Sequence, residues 1–392
     1  MAMIPRALAS PMADLFAQYP VVTVTGPRQS GKTTLVRHVF DDLSYVNLED
    51  LETRELARSD PKGLVRGLRD GAVIDEIQRV PDLLSQIQVL VDDARREGMF
   101  VLAGSSQHQL MESVSQSLAG RTALLKLLPL SIPELAGAGI TLDADELMFR
   151  GFYPRIHDRS LDPTRALGDY FETYVERDLR SFAQVRSLSQ FQRFVRLCAG
   201  RVGQLLNLSS LANDTGVSST TIAHWLSILE ASYVVFLLRP FTANTRKRLV
   251  KSPKLYFYDV GLASYLLGIE QASQLATHPL RGGLFENLVV VEVLKHRIHQ
   301  GRRIQTHFFR SATGNEVDLL VKCGRQILPI EIKSSHTVHS SFFKGFDALG
   351  GLIGDTMDKP LLVYAGDRDE ERTAAHVTHV QALGARLSER GL

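Results

Sequence analysis

The sequence predicts an α/β fold with a parallel sheet in its N-terminal part. Three observations carry that reading. Apolar, β-branched runs recur at 21–25, 44–48, 71–74, 99–103 and 123–128, and helical patterns alternate with them. A glycine-rich turn closes the first run, and an acidic pair closes the third. In an open parallel sheet, ligands sit at such strand ends.

The first run opens the stretch VVTVTGPRQSGKTTLVRHVF, residues 21–40. Gly26, Pro27, Arg28, Gln29, Ser30, Gly31, Lys32, Thr33 and Thr34 form a complete phosphate-binding loop between a strand and a helix. The glycines let backbone N–H groups wrap a β-phosphate. Lys32 neutralises the β- and γ-oxygens, Thr33 ligates Mg²⁺, and the helix points its positive end at the anion. The layout is that of a P-loop NTPase domain, and it implies ATP with Mg²⁺ as the cofactors.

The third run, in GAVIDEIQRVP (71–81), ends in Asp75 and Glu76. Asp75 is placed to hold Mg²⁺, and Glu76 to orient or deprotonate the attacking water, which makes the chain an ATPase. The fourth run ends in Ser105 and Ser106. Ser105 is a candidate sensor of the γ-phosphate; capping of a helix over 107–118 is the other reading. Arg121 is a candidate phosphate contact, from its own or a neighbouring subunit, with a surface salt bridge as the alternative.

The middle of the chain reads as a winged helix. A short helix over Ser209–Asp214 ends at Gly216, and Ser218 or Ser219 caps a second helix. On that helix Ile222, Trp225, Leu226 and Leu229 share one face, leaving Thr220, Thr221, His224 and Ser227 outside. Strands at Tyr233–Leu238 and 254–260 follow. The hairpin region carries Arg239, Arg246, Lys247, Arg248, Lys251 and Lys254 without an acid, the footprint of a phosphate-backbone contact. Thr220, His224, Arg246, Lys247, Arg248 and Lys251 are the candidate DNA-binding residues. A structural or protein-contact module is the alternative. The outward face lacks side chains suited to bidentate base reading, so sequence specificity is not expected.

The C-terminal third predicts a helix over 281–297, strands over 306–311, 316–321 and 327–335, and a later strand over 360–366 after a helix. Asp318 and Glu331 then project from adjacent strands, with Lys333 on the same side as Glu331. The two carboxylates can hold Mg²⁺ or Mn²⁺, Lys333 can serve the attacking water, and Glu286 can complete the shell from the helix. The competing reading is a half-buried strand with a charged wet face.

Composition bounds the rest. The net charge is only +2, so any nucleic-acid surface is local. Two cysteines, Cys198 and Cys323, make neither a disulfide framework nor a metal cluster, and a reducing, cytoplasmic setting fits them. The N-terminus is a poor signal peptide, and no run approaches the ~20 apolar residues of a membrane helix.

The motifs GPRQSGKTTL, VIDEIQRVPDLL, LAGSS, LPLSIPEL, GFYPR, KLYFYDVGLASYLLG, LFENLVVVEVLK, GNEVDLLV and IEIKSS span nearly the whole chain. Together they resemble the bacterial and archaeal family of ATPases carrying the DUF4143 domain. The resemblance implies an AAA-like P-loop ATPase domain over 1–165, a winged helix over 166–258, and a restriction-endonuclease-like domain over 259–392, similar to the PD-(D/E)xK nucleases. It puts nuclease-type positions at Glu286, Asp318, Glu331 and Lys333. One departure stands out: Ala103 occupies a place where a threonine or serine is expected, which bears on the sensor role of Ser105 or Ser106. Two functions follow. In one, ATP hydrolysis gates a DNA-bound complex and the C-terminal site cuts. In the other, the chain is an ATP-dependent switch that only binds DNA or a protein partner. A homo-oligomer is compatible with both.

Overall fold

The computed structural model describes residues 3–105, 114, 116–176, 187–242, 251–303 and 305–392. Strands β1 (Val21–Thr25), β2 (Ser44–Asn47), β3 (Ala72–Asp75), β4 (Phe100–Ala103) and β5 (Thr122–Lys126) form one sheet in the order β2-β3-β4-β1-β5. Every pairing in it is parallel. Successive side chains feed opposite faces. Val22, Val24, Val73 and Val101 pack with Leu8, Met12, Leu35 and Val36 on one side. Val21, Ile74, Phe100 and Leu102 pack with Leu83, Leu84 and Ile87 on the other. Both faces are covered, which is why these strands read as unbroken apolar runs. The N-terminal domain is therefore the expected α/β, parallel-sheet, P-loop NTPase-like fold.

The strand order decides where chemistry can happen. β4 lies between β3 and β1. Their three carboxyl ends bring together Asp75, Ser105 and the loop that begins at Gly26.

Three helices, Leu188–Ala199, Leu208–Thr215 and Ser219–Ala231, lead to the hairpin of β6 (Val235–Leu238) and β7 (Lys254–Phe257). Asn207 and Ser218 cap the second and third, and Gly216 ends the second with φ 77°, in the left-handed region. Ile222, Trp225, Leu226 and Leu229 are buried as expected, with Trp225 5.3 Å from Phe191 and 5.6 Å from Phe194. Thr220, His224 and Ser227 are exposed. The strand expected over 254–260 stops at Phe257. Asp259 instead caps the helix Val260–Leu266 by accepting from the Leu262 N–H at 2.9 Å.

The C-terminal sheet has six strands in the order β12-β13-β11-β10-β9-β8. β8 (Thr306–Arg310), β9 (Glu316–Cys323) and β10 (Gln326–Lys333) are antiparallel neighbours. β11 (Leu361–Tyr364) and β13 (His376–His379) continue in parallel, and the short β12 (Glu370–Glu371) closes the edge. The helix Arg281–Ile298 packs on β10 and shares one hydrophobic core with the middle helices. Just past β6, the Phe241 N–H donates to the Phe308 carbonyl at 2.7 Å, which docks the hairpin onto β8. No helix among the described residues is long and apolar enough to cross a membrane.

Candidate functional site

The phosphate loop is held open from below. Gly26 has φ 147°, and a Cβ there would lie 2.1 Å from the Leu127 carbonyl oxygen, so no other residue fits. Gln29 and Glu76 also adopt positive φ, 60° and 55°. Such conformations cost a non-glycine residue about 1–2 kcal/mol and gather at functional sites. Arg6 braces the loop by donating to the Ser30 carbonyl at 2.6 Å. Arg28 lies over the Tyr174 ring at 5.1 Å, Pro27 is buried, and Thr34 is exposed on the helix Lys32–Val39.

Lys32 is buried, and its ammonium donates to the Gly26 and Pro27 carbonyls at 3.0 and 2.8 Å. Burial pushes its pKa down to about 8, against the pull of Glu76 and Asp75 and with Arg28 adding to the depression. A buried ammonium held by two carbonyls is short of an anion, and a phosphate group fits that need. Ser30 adds a buried hydroxyl without a partner. The donor set therefore fits a nucleotide phosphate.

Thr33 donates its hydroxyl to Asp75 Oδ2 at 2.6 Å, and Tyr45 donates to the same oxygen at 2.9 Å. A hydroxyl beside a strand-end carboxylate is an oxygen pair suited to Mg²⁺. Glu76 is largely buried, and burial raises its pKa; Lys32 opposes the shift and Asp75 adds to it. Gln78 donates to Glu76 Oε2, and Ser105 donates to the same oxygen at 3.4 Å. Ser105 therefore reaches the site through the carboxylate of Glu76. Ser106 lies outside the described residues.

The cis reading of Arg121 needs correction. Its carbonyl accepts from Val21, so it lies at the amino end of β1. The loop begins five residues later, roughly 16 Å away at ~3.3 Å per residue. Its guanidinium pairs with Asp92 at 2.5 and 2.8 Å on the exposed surface.

Beside Gln29 opens a cavity of about 460 Å³, walled by Tyr153, Tyr170, Tyr174, Ile156 and Leu167, with Asp162 and Arg165 at its polar side. Sequence reasoning missed it, because its walls lie more than a hundred residues beyond the loop.

The C-terminal acid cluster also forms, with an unexpected member. Glu286 on the helix Arg281–Ile298, Asp318 and Glu316 on β9, and Glu331 on β10 converge as the alternation predicts for Asp318 and Glu331. Lys333 bonds Glu331 Oε1 at 2.6 Å and Asp318 Oδ2 at 3.3 Å. Lys254, expected in the solvated basic hairpin, is instead buried among the acids. Its ammonium meets Glu286 Oε1 at 2.7 Å, Glu316 Oε1 at 2.5 Å and Asp318 Oδ1 at 3.8 Å. Tyr256, two residues on and on the same strand face, also donates to Glu286 Oε1. The expectation that Glu286, Asp318 and Glu331 surround an open metal seat is thus corrected. Among the described residues no trio of histidine, cysteine or acidic side chains is disposed to hold a metal ion. Burial, then the Asp318 charge, raises the pKa of Glu286 to about 7 and of Glu331 to about 8; Lys254 and Lys333, respectively, oppose the shifts.

Of the basic candidates, Lys251 is exposed, whereas Arg246, Lys247 and Arg248 lie outside the described residues. Cys198 is buried and Cys323 half-buried, both as free thiols.

Three family models match this chain in tandem: AAA domain over residues 18–136, a domain of unknown function (DUF8612) over 141–273, and a domain of unknown function (DUF4143) over 281–383. The first ends before 141–165, a segment whose helices pack on Val260–Leu266. Among solved structures, the Walker-type ATPase PABY2304 of Pyrococcus abyssi shares 13% identity, covering 66% of this chain and 94% of its own, with a TM-score of 0.45. The RuvB Holliday junction branch migration motor of Thermotoga maritima shares 17% identity, covering 59% and 88%, with a TM-score of 0.32. Uncharacterized proteins of Mycobacterium tuberculosis and Mycobacterium bovis are each 33% identical over 335 residues, covering 85% of this chain and 74% of theirs. The chain belongs to the same family as these two mycobacterial proteins, and within it carries an AAA domain and a DUF4143 domain.

Proposed function

We propose that the chain is a Mg²⁺-dependent ATPase whose N-terminal site is the one described above. The observation that carries this reading is Lys32: a buried ammonium held by backbone carbonyls at the end of a strand, with Thr33, Asp75 and Glu76 around it. Residues Gly26 to Thr34 cradle the phosphates, and Lys32 neutralises them. Thr33 and Asp75 hold Mg²⁺, which when bound draws charge from the β- and γ-oxygens. Glu76 takes the proton of the attacking water, and its burial favours that role by raising its affinity for a proton. Ser105 and Gln78 hold the Glu76 carboxylate in place. The tyrosine-walled cavity beside Gln29 receives base and ribose, since it adjoins the loop and offers aromatic faces. Mg²⁺-dependent phosphate release by the full chain, absent from Lys32→Ala, tests the reading. Equal release by both proteins overturns it.

We further propose that the middle region is a winged helix bearing on DNA. Three capped helices followed by a hairpin support it, as do the exposed Thr220 and His224. Contact is assigned to Thr220, His224, Arg246, Lys247, Arg248 and Lys251, and it is to the backbone, not to base edges. For ~4 phosphates, log K against log salt has a slope of about −3.6. Neutralising Arg246, Lys247 and Arg248 together flattens that slope; an unchanged slope moves the contact elsewhere. Arg121, too far from its own loop, reaches phosphates only in a neighbouring copy. The order of helix Arg281–Ile298 and strands β8 to β10 supports a nuclease-like reading of the C-terminal region, in which Asp318, Glu331 and Lys333 take nuclease-type positions.

A further inference from the structure

In a metal-dependent nuclease, converging carboxylates hold a divalent cation, and here those carboxylates converge on a lysine. We infer that the Lys254 ammonium stands in the seat of the divalent cation, so that the C-terminal acid cluster of this chain is metal-free and does not cut phosphodiester bonds.

The first argument is position. Lys254 is nearly all buried, with a side-chain exposure of 4%, and it contacts acids from two separate elements. Glu286 comes from the helix, and Glu316 and Asp318 from β9. A compact point charge bridging carboxylates from different elements does the electrostatic work of a bound cation. The lysine is not a stray surface group, since β7 fixes its backbone: the Leu206 N–H bonds Pro253, and Lys254 itself bridges Leu205.

The second argument is oxygen supply. A hard divalent cation takes about six oxygens. Here Glu286 Oε1 already accepts from Lys254 and Tyr256. Asp318 Oδ2 accepts the Ile332 N–H at 2.9 Å and Lys333 at 3.3 Å. Glu316 gives one oxygen to Lys254 and the other to Arg310 at 3.3 Å. Glu331 Oε1 is taken by Lys333, while its Oε2 is buried without a partner. Among the described residues, Asp318 Oδ1 meets only the Lys254 ammonium, at 3.8 Å, so a cation drawing on the oxygens left over must first displace that lysine.

The third argument is charge. Lys254, Lys333 and Arg310 face four carboxylates, which leaves a single negative charge. The cations already in the cluster thus offset all but one of its carboxylates. It also ties three elements together: the hairpin strand β7, the buried helix and the C-terminal sheet.

The test is Mn²⁺ binding by the full, nucleotide-free chain, followed by calorimetry and by the thermal midpoint. Wild type is expected to bind no Mn²⁺ that depends on Asp318. The double variant Lys254→Met/Glu316→Gln removes one charge of each sign and opens the seat. It is expected to bind one Mn²⁺, to lose that binding when Asp318→Asn is added, and to melt at a higher temperature with Mn²⁺ than without. A wild type that binds one Mn²⁺, lost on Asp318→Asn, overturns the inference. So does a double variant, well folded or marginal, whose melting temperature Mn²⁺ does not raise.

Discussion

The Arg6 guanidinium joins the phosphate loop to Glu134: one nitrogen donates to the Ser30 carbonyl at 2.6 Å and another to Glu134 at 3.1 Å. Glu134 faces His299 at 3.5 Å, just beyond the helix Arg281–Ile298. Burial pushes the His299 pKa down to about 3, so the imidazole is neutral and Arg6 is the counter-charge of Glu134. The same helix carries Glu286 of the acid cluster at its other end. A single buried arginine therefore sits between the nucleotide loop and the element that anchors the C-terminal sheet.

Arg6→Gln should weaken both. Breaking a buried ion pair by removing one partner costs about 3–5 kcal/mol, because the other charge is stranded. The loop also loses a brace at Ser30. Urea unfolding should show a stability loss of ~3 kcal/mol, with a parallel loss of ATP affinity. A variant as stable as wild type would show that Arg6 does not carry this pairing.

ATP affinity should fall as pH rises through about 8, because Lys32 titrates there in the empty site. Bound phosphate favours the charged lysine, so above that pH binding must take up a proton. Each further pH unit should then cost about tenfold in affinity. The sign for folding is opposite. Lys32 holds fewer protons folded than unfolded between about 8 and 10.5, so its contribution to stability rises with pH over that window. Titration calorimetry from pH 7 to 10 checks the first statement, and Lys32→Ala should abolish the dependence along with tight binding.

Glu76→Gln should bind ATP as tightly as wild type and hydrolyse it roughly 10²–10⁴ times more slowly, the range for losing a general base. The amide still fits between Gln78 and Ser105 but cannot take a proton. Single-turnover measurements separate the two effects. Wild-type turnover in the variant moves the base elsewhere.

The parallel sheet and the phosphate loop were legible because their signals are local. A strand, a glycine-rich turn and a helix follow one another within twenty residues. Asp75 and Glu76 were legible by the same logic, as a strand end. Tyr45, Gln78 and Arg6 were not, since each acts through tertiary proximity that has no spacing rule. The alternation along β9 and β10 correctly put Asp318, Glu331 and Lys333 on one side. Lys254 misled for a physical reason: it begins a strand that follows a basic stretch, and charge composition points outward. The cue available was its period-two relation to Tyr256, which puts both on one face of a strand that is buried throughout. Glu316 bears the same relation to Asp318. β12 and β13 were missed because they are too short to set up a pattern.

The acid cluster should make the protein less stable as pH rises from about 5 to about 8. The ordinary carboxylate value is near 4.5, and Glu331 is raised to about 8 by burial and by the Asp318 charge. Between those values the folded state holds a proton that the unfolded state has released. More protons bound when folded means that stability declines with pH. The contribution is complete below pH 4.5 and lost as pH passes about 8. Glu331→Gln imitates the protonated carboxyl at every pH, and it keeps a group for Lys333 and Asp318 to face. The variant should match wild type near pH 5 and exceed it near pH 8, so that the gap between their urea midpoints widens steadily across the range. Lys32 does not confound this window, since its opposite contribution begins only above pH 8. Parallel midpoints for the two proteins from pH 5 to 8 would show that Glu331 ionises normally.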